Sequence, residues 1–169
     1  GWKCMQTIRY EEILNIFSEQ TGKISAIQEA TINAIAYMAE SRDKTFTGEH
    51  LRRVQEICSI LIANISDSVY QTCITNNEAY AIIASSILHD IGKVAIKDEV
   101  LNKPGKLNKE EFEHMKQHVE IGVNIIEHLI KEDKTNTYLI TGEEIIKYHH
   151  ERWDGTGYPF GLKGLQIPL

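Results

Sequence analysis

Apolar residues recur every three to four positions along most of this chain, and stretches that alternate apolar with polar are scarce. That period gathers side chains on one stripe of an α-helix, whereas a strand would need a period of two. A chain patterned this way folds by packing helix stripes against one another, so the expected class is all-α. Its 169 residues amount to about one domain at ~150 residues per domain, enough to bury a core without disulfide staples.

The stripes predict particular helices. YEEILNIFSEQTGKISAIQEATINAIAYMAESR, residues 10–42, reads as one long helix. Its Ile13, Phe17, Ile24, Ile27, Ala34 and Met38 follow a spacing near that of a coiled-coil seam. The spacing fits packing on its own domain, or pairing with a second copy as a signalling helix. A second helix is expected from Glu49 to Ser66, with His50, Val54, Ile57, Leu61 and Ile65 on the buried face. A third, small and apolar on most sides, starts near Asn77 as N-cap and stops at Gly92. A turn at Pro104–Gly105 precedes a long helix over 109–131, opened by a capping box of Asn108 and Glu111. Thr141 with Glu144 predicts another box, opening TGEEIIKYHHE. Glycines and prolines then crowd the last 18 residues, which predicts a structured loop.

Composition removes several classes of function. Acidic residues outnumber basic ones by 24 to 18, a net charge of −6, which argues against DNA and against general nucleic-acid binding. No apolar run approaches the ~20 residues of a membrane span. The start, GWKCMQTIRYEE, lacks the apolar core of a signal peptide. The three cysteines, Cys4, Cys58 and Cys73, form no CxxC pair, which fits idle thiols in a reducing, cytoplasmic setting. The first residue, Gly1, suggests a fragment or a processed chain.

The chemistry lies in the placement of histidines. His89 and Asp90 stand together at the end of the most apolar helix, where a carboxylate is costly unless it is paired or metal-bound. His149 and His150 follow Ile145 and Ile146 by one helical turn each, and so extend an inward face. His118 shares a stripe with Met115, Gly122, Ile125 and Leu129. With His50, that makes five inward histidines and one aspartate, a donor set for iron, manganese, zinc or nickel inside a bundle. His114 and His128 read as surface or supporting residues. Lys93, three residues after Asp90, could neutralise a phosphate oxygen or protonate a leaving group. The glycine-rich loop HHERWDGTGYPFGLKG follows two candidate ligands directly, and its Tyr158 could bond a phosphate or stack on a base.

These residues carry a resemblance. TGEHLRRV, LHDIGKVAIKDEVLNKPGKLNKEEFEHMKQHVEIG and HHERWDGTGYPFGLKGLQIPL, in that order along the chain, resemble the motifs of the HD-GYP domain, a bacterial branch of the HD phosphohydrolases that hydrolyses cyclic di-GMP. The match runs from about Ala30 to Leu169. It implies an HD-type helical bundle at 43–169, after a linker helix at 1–42 such as joins receiver or sensor domains. It implies His50, His89, Asp90, His118, His149 and His150 as ligands of two divalent metals, iron or manganese before zinc or nickel. Asp90 would bridge, His50 and His89 would serve one metal, and His118, His149 and His150 the other. Lys93 would contact the scissile phosphate, and Gly157, Tyr158 and Pro159 the substrate. Some members hold a third metal through a glutamate four residues before the first histidine; Phe46 occupies that place here. The family continues past the position of Leu169 with a further aspartate ligand, so the domain is expected to be incomplete at its C-terminal end.

The implied reaction is hydrolysis of cyclic di-GMP to pGpG, and onward to GMP, with Asp90 and Lys93 as catalytic residues. Two other readings fit the same residues. One is a different HD nucleotide phosphohydrolase. The other is a module that binds a cyclic dinucleotide, or docks a diguanylate cyclase (GGDEF-type) partner through the GYP loop, without turnover. Pairing of the N-terminal helix would make a homodimer.

Overall fold

The computed structural model describes residues 26–44, 47–65 and 74–168. Among them the regular elements are all helical: α1 (Ala26–Ser41), α2 (His50–Asn64), α3 (Asn76–Ser85), the one-turn α4 (Asp98–Leu101), α5 (Lys109–Glu132) and α6 (Thr137–Tyr148). Short 3-10 turns cover Ser86–Leu88, Ile91–Ala95 and Gly164–Gln166. The all-α expectation holds. An isolated bridge between Asp154 and Lys163 is the one strand-like pairing among the described residues.

The core lies where α3, α5 and α6 meet. Leu88, Ile126 and Ile146 are fully enclosed there. At about 1.5–3 kcal/mol for each large aliphatic side chain taken from water, such residues dominate the packing energy. α3 serves as the central helix because it is lined by Ala79, Ala81, Ala84 and Ser85, all buried, so its neighbours approach closely. α1 closes one side with Ala36 and Ala39. Arg42, just past its end, donates to the carbonyl of Val94 and to those of Lys93 at 3.0 Å and Ile96 at 2.8 Å, and pairs with Asp98 at 2.8 Å. That latch fixes the turn on which Lys93 rides.

Several boundaries match their local chemistry. Asn108 and Glu111 form the expected reciprocal capping box, and α5 runs one residue past the predicted end. Pro104–Gly105 turns the chain, with Gly105 at φ 99°. Others differ. Thr75, not Asn77, caps α3, because Thr75 and Glu78 satisfy each other's backbone amides in a capping box. α6 begins at Thr137 under an Asn136 cap, so Thr141 and Glu144 lie inside the helix and open nothing. On α2 the buried face is Leu51, Ser59 and Ile62, while Ile57 and Leu61 are 56% and 62% exposed. The helix carries two adjacent apolar stripes, and α3 covers the one that includes Leu51 and Ile62. Leu129 on α5 is likewise 41% exposed, while Ile126 and Ile130 of the same helix pack into the core. Gly92 ends no helix; it lies inside a 3-10 turn. Ile13, Phe17, Ile24, Phe46, Cys4 and Cys73 lie outside the described residues.

Candidate metal centre

The site forms where the end of α3 meets α2, α5 and the end of α6. The 3-10 turn Ser86–Leu88, which follows α3, leads His89 and Asp90 off the central helix. Asp90 is buried and sits at the middle of the cluster. One carboxylate oxygen, Oδ2, lies 3.0 Å from His89 Nε2 and 2.8 Å from Lys93 Nζ. The other, Oδ1, faces His118 Nε2 at 3.3 Å and His149 Nε2 at 3.8 Å. His150 packs edge-on to His118, ring centroids 5.1 Å apart, and His50 lies 6.1 Å from His89 by the same measure. All six histidine and aspartate residues singled out in the sequence therefore converge, with Lys93 beside them. His128 is exposed, and His114 is half-buried and bonded to Gln117 at 2.8 Å.

The backbone orients the imidazoles. Nδ1 of His89 donates to the Ser86 carbonyl at 2.9 Å, that of His118 to Met115 at 2.7 Å, and that of His149 to Ile146 at 3.0 Å. A carbonyl only accepts, so each Nδ1 carries a proton and each Nε2 is left to face the site. Burial, then the neighbouring histidines, lowers the pKa of His150 to about 3, and burial lowers that of His118 as well. Both rings are held neutral, the form that ligates a metal. Burial alone would push the Asp90 carboxyl up; the facing His149 and His89 imidazoles and the Lys93 ammonium outweigh it and hold it well below the usual range.

This arrangement fits a cation on its own terms. Asp90 Oδ1 is buried with no hydrogen-bond partner, and His118 Nε2 and His149 Nε2 approach each other to 3.4 Å. Acceptors facing acceptors in a buried space are satisfied by a positive ion. Donor atoms of Asp90, His118, His149 and His150 all lie within 4.8 Å of one another, and so do those of a second set, Glu40, His50 and His89. Nitrogen and oxygen donors without thiolate suit a divalent first-row metal.

A cavity of about 340 Å³ opens over the centre, lined by His50, His89, Asp90, Lys93, His149 and His150. The glycine-rich loop forms its neighbour. The Tyr158 ring stacks on His150 at 4.4 Å, and the Tyr158 amide donates to the His150 carbonyl at 3.2 Å. A Cβ on Gly157 would stand 2.4 Å from the Arg152 nitrogen, so only glycine lets the loop fold back this tightly. Burial raises the Tyr158 phenol to about 12, which keeps it a donor. Pro159 lines a second groove, of about 430 Å³, with Tyr158, Phe160, Lys116 and Lys147.

Sequence reasoning missed three contributors. Glu40 reads as an ordinary acidic residue near a helix end, yet it is 4% exposed, and burial raises its carboxyl to about 7 against the pull of Lys93. Asp43 lies 4.0 Å from Lys93 Nζ. Glu151 closes the loop by accepting from the Phe160 and Leu162 amides at 2.7 and 2.8 Å. The adjacency of Glu151 to the histidine pair was the signal available for it; nothing in the local pattern singles out Glu40.

Residues 33–169 match the family model described as HD domain. A probable cyclic di-GMP phosphodiesterase of Vibrio cholerae is 40% identical over 89% of this chain and 34% of its own length. A cyclic di-GMP phosphodiesterase of the same organism is 38% identical over 94% of this chain and 32% of its own. A 3′3′-cGAMP-specific phosphodiesterase, also from V. cholerae, is 38% identical over 80% of this chain and 23% of its own. The chain thus spans about a third of the first two relatives' length. Its central histidine–aspartate pair, its signature loop and these relatives agree: the chain belongs to the HD domain family, as a domain of the HD-GYP type.

Proposed function

We propose that the protein containing this chain is a metal-dependent phosphodiesterase that hydrolyses cyclic di-GMP to pGpG, and onward to GMP, in cytoplasmic second-messenger signalling. The observation that carries the reading is Asp90, whose two oxygens face different partners: Oδ1 the His118 and His149 rings, Oδ2 the His89 ring and Lys93. A carboxylate so placed suits a bridge between two cations, one held by His118, His149 and His150, the other by His50 and His89. Iron or manganese comes first for this nitrogen–oxygen set, zinc or nickel after. Bound there, the cations would activate water and offset charge on the phosphoryl oxygens.

The chain's own residues supply the rest. Water adds to phosphorus as the bond to the 3′-oxygen breaks, and Lys93 delivers the proton that the leaving oxygen needs. Burial lowers the affinity of Lys93 for its proton, but Asp90, Glu40 and Asp43 more than reverse this, so the lysine holds a proton to give. Gly157, Tyr158 and Pro159 position the nucleotide, with Tyr158 offering a hydroxyl donor and a ring face. Exposed Phe160 and Trp153 support the same loop as a docking point for a diguanylate cyclase. Met38 on α1, 66% exposed, supports pairing with a second copy.

The V. cholerae cGAMP-specific relative gives a specific reason to carry a second substrate, the mixed cyclic dinucleotide. The test uses full-length protein purified without oxygen, loaded with Mn²⁺ or Fe²⁺, and given each dinucleotide in turn. Linear product from cyclic di-GMP, absent in Asp90→Ala and Lys93→Ala, is the expected result. Binding without product would replace this reading with a sensing module, and product from cGAMP alone would change the substrate.

A further inference from the structure

Glu40 enters the mechanism above only as a counter-charge to Lys93, yet its surroundings demand a partner. It lies in the last turn of α1, next to buried Ala39. Its side chain is 5% exposed, and Oε1 is buried with no hydrogen-bond partner. Lys93 Nζ is 3.9 Å from that oxygen, beyond hydrogen-bond reach, and bonds Asp90 instead at 2.8 Å. Burying a carboxylate oxygen without a hydrogen bond is unfavourable.

A Glu40 carboxylate oxygen lies near a ring nitrogen of each of two histidines. One donor atom each from Glu40, His50 and His89 lies within 4.8 Å of the others. Metal–ligand bonds of ~2.0–2.2 Å place ligand atoms up to about 4.4 Å apart around one ion, so a small closing movement completes the set. The charge also fits. Glu40, Asp43 and Asp90 line this end of the cavity against Lys93 and Arg53, leaving an excess of carboxylate for a divalent ion to offset.

We propose that Glu40 is a ligand of the cation held by His50 and His89, so that this metal fastens α1 to the helices of the site. The inference rests on the metal-centre reading given above and adds to it a ligand from a different element. His50 comes from α2 and His89 from the turn after α3. With Glu40 added to these histidines and the bridging Asp90, the ion spans three elements. One of them, α1, is continuous with the chain's N-terminal residues. Displacing α1 then weakens this cation and leaves the other in place, and, by linkage, filling this site holds α1 down.

The competing role for Glu40 is counter-charge to Lys93 alone, and the test separates the two. Full-length protein is stripped with a chelator and titrated with Mn²⁺ by calorimetry without oxygen. Wild type is expected to take up two ions. Glu40→Gln should weaken one of them at least about tenfold and leave the other unchanged. Glu40→Asp, which keeps the charge near Lys93 but withdraws the oxygen by one methylene, should weaken the same ion. The metal-free melting temperature of Glu40→Gln should equal or exceed that of wild type, because an isosteric amide replaces a buried charge. In Co²⁺-loaded protein, the visible bands should change in both variants. Two ions bound with wild-type affinity in Glu40→Gln would overturn the proposal, as would a metal-free melting temperature that falls as far as the metal-loaded one. Failure of wild type to bind Mn²⁺ would overturn the underlying metal-centre reading, and it would be seen before any variant is made.

Discussion

Gly92 touches His118 through the backbone: a Cβ on Gly92 would stand 1.8 Å from the His118 carbonyl oxygen and 2.6 Å from the Gly122 nitrogen. The turn that carries Asp90 therefore lies directly on α5, and this approach is what brings Asp90 Oδ1 to 3.3 Å from His118 Nε2. Gly92→Ala must push the turn away. We expect a loss of at least about 1–3 kcal/mol of stability, as for overpacked interiors, together with weakened metal binding. Gly122→Ala is the comparison: its Cβ would meet the buried Ile146 side chain at 2.9 Å but backbone only at 3.4 Å, from the Gly92 nitrogen, so it should displace the turn less. Thermal melts and metal analysis of the two variants check this; equal effects would mean that the backbone contact is not what sets the site.

Lys93 and Asp90 are bonded to each other but should separate in their effects. Asp90 faces both donor sets, so Asp90→Ala should lose bound metal and turnover together. Lys93 contributes a charge and a proton, so Lys93→Ala should keep its metal and lose turnover by about 10²–10⁴-fold. Metal content by elemental analysis, beside product formation, makes the distinction. Loss of metal in Lys93→Ala would assign the lysine to holding the acid cluster together and remove it from proton transfer.

The parts legible in the sequence are those whose signals are local. Asn108 and Glu111 cap each other three residues apart, so the start of α5 could be read directly. The histidine–aspartate pair and the histidine pair stood out because ionisable residues followed apolar runs. What stayed hidden depends on tertiary partners. Which of two adjacent stripes on α2 turns inward is decided by α3, not by α2 itself. Thr141 and Glu144 have capping-box spacing, but Asn136 caps the helix earlier, and a helix once begun absorbs later signals. Glu40 was invisible because its burial comes from the turn that Arg42 latches against α1, a contact between segments about 50 residues apart in the chain.

His150 and His118 should contribute acid sensitivity to the metal-free protein. Burial holds the folded pKa of His150 and of His118 below the ordinary histidine value of 6.5. As pH falls below that value, the unfolded chain takes up these protons first, so folding loses stability. For His150 the loss continues towards about 3. Each such proton contributes a slope of at most about 1.4 kcal/mol per pH unit. His89 works the other way: Asp90 more than offsets the burial that would lower its pKa, and its folded value is raised. Its contribution is therefore full in acid and lost as pH rises through that folded value. Glu40, raised to about 7, works in the same direction as His89, so the histidine contribution is read by difference: in melts of chelator-treated protein between about pH 7 and about pH 4.5, His150→Asn should gain stability relative to wild type as pH falls. An unchanged slope in that variant would mean that His150 is protonated in the folded state.

Glu151 should govern the nucleotide and not the metal. Its carboxylate receives the amides of Phe160 and Leu162, and between these contacts and the histidine pair hang Gly157, Tyr158 and Pro159. Removing the carboxylate leaves two backbone donors without their acceptor and frees the arc that stacks Tyr158 on His150. In Glu151→Ala we expect nucleotide affinity to fall about tenfold, the cost of roughly one charge-assisted hydrogen bond, while metal content stays at the wild-type level. Glu151→Gln keeps one acceptor oxygen and should fall between the two. Tyr158→Phe retains the ring stack but not the hydroxyl, so comparing it with Glu151→Ala separates loss of the donor from loss of the loop's position. Calorimetric titration of the metal-loaded proteins with cyclic di-GMP measures all three. Loss of metal in Glu151→Ala would show instead that the loop braces His149 and His150, and that metal and nucleotide sites are built as one unit.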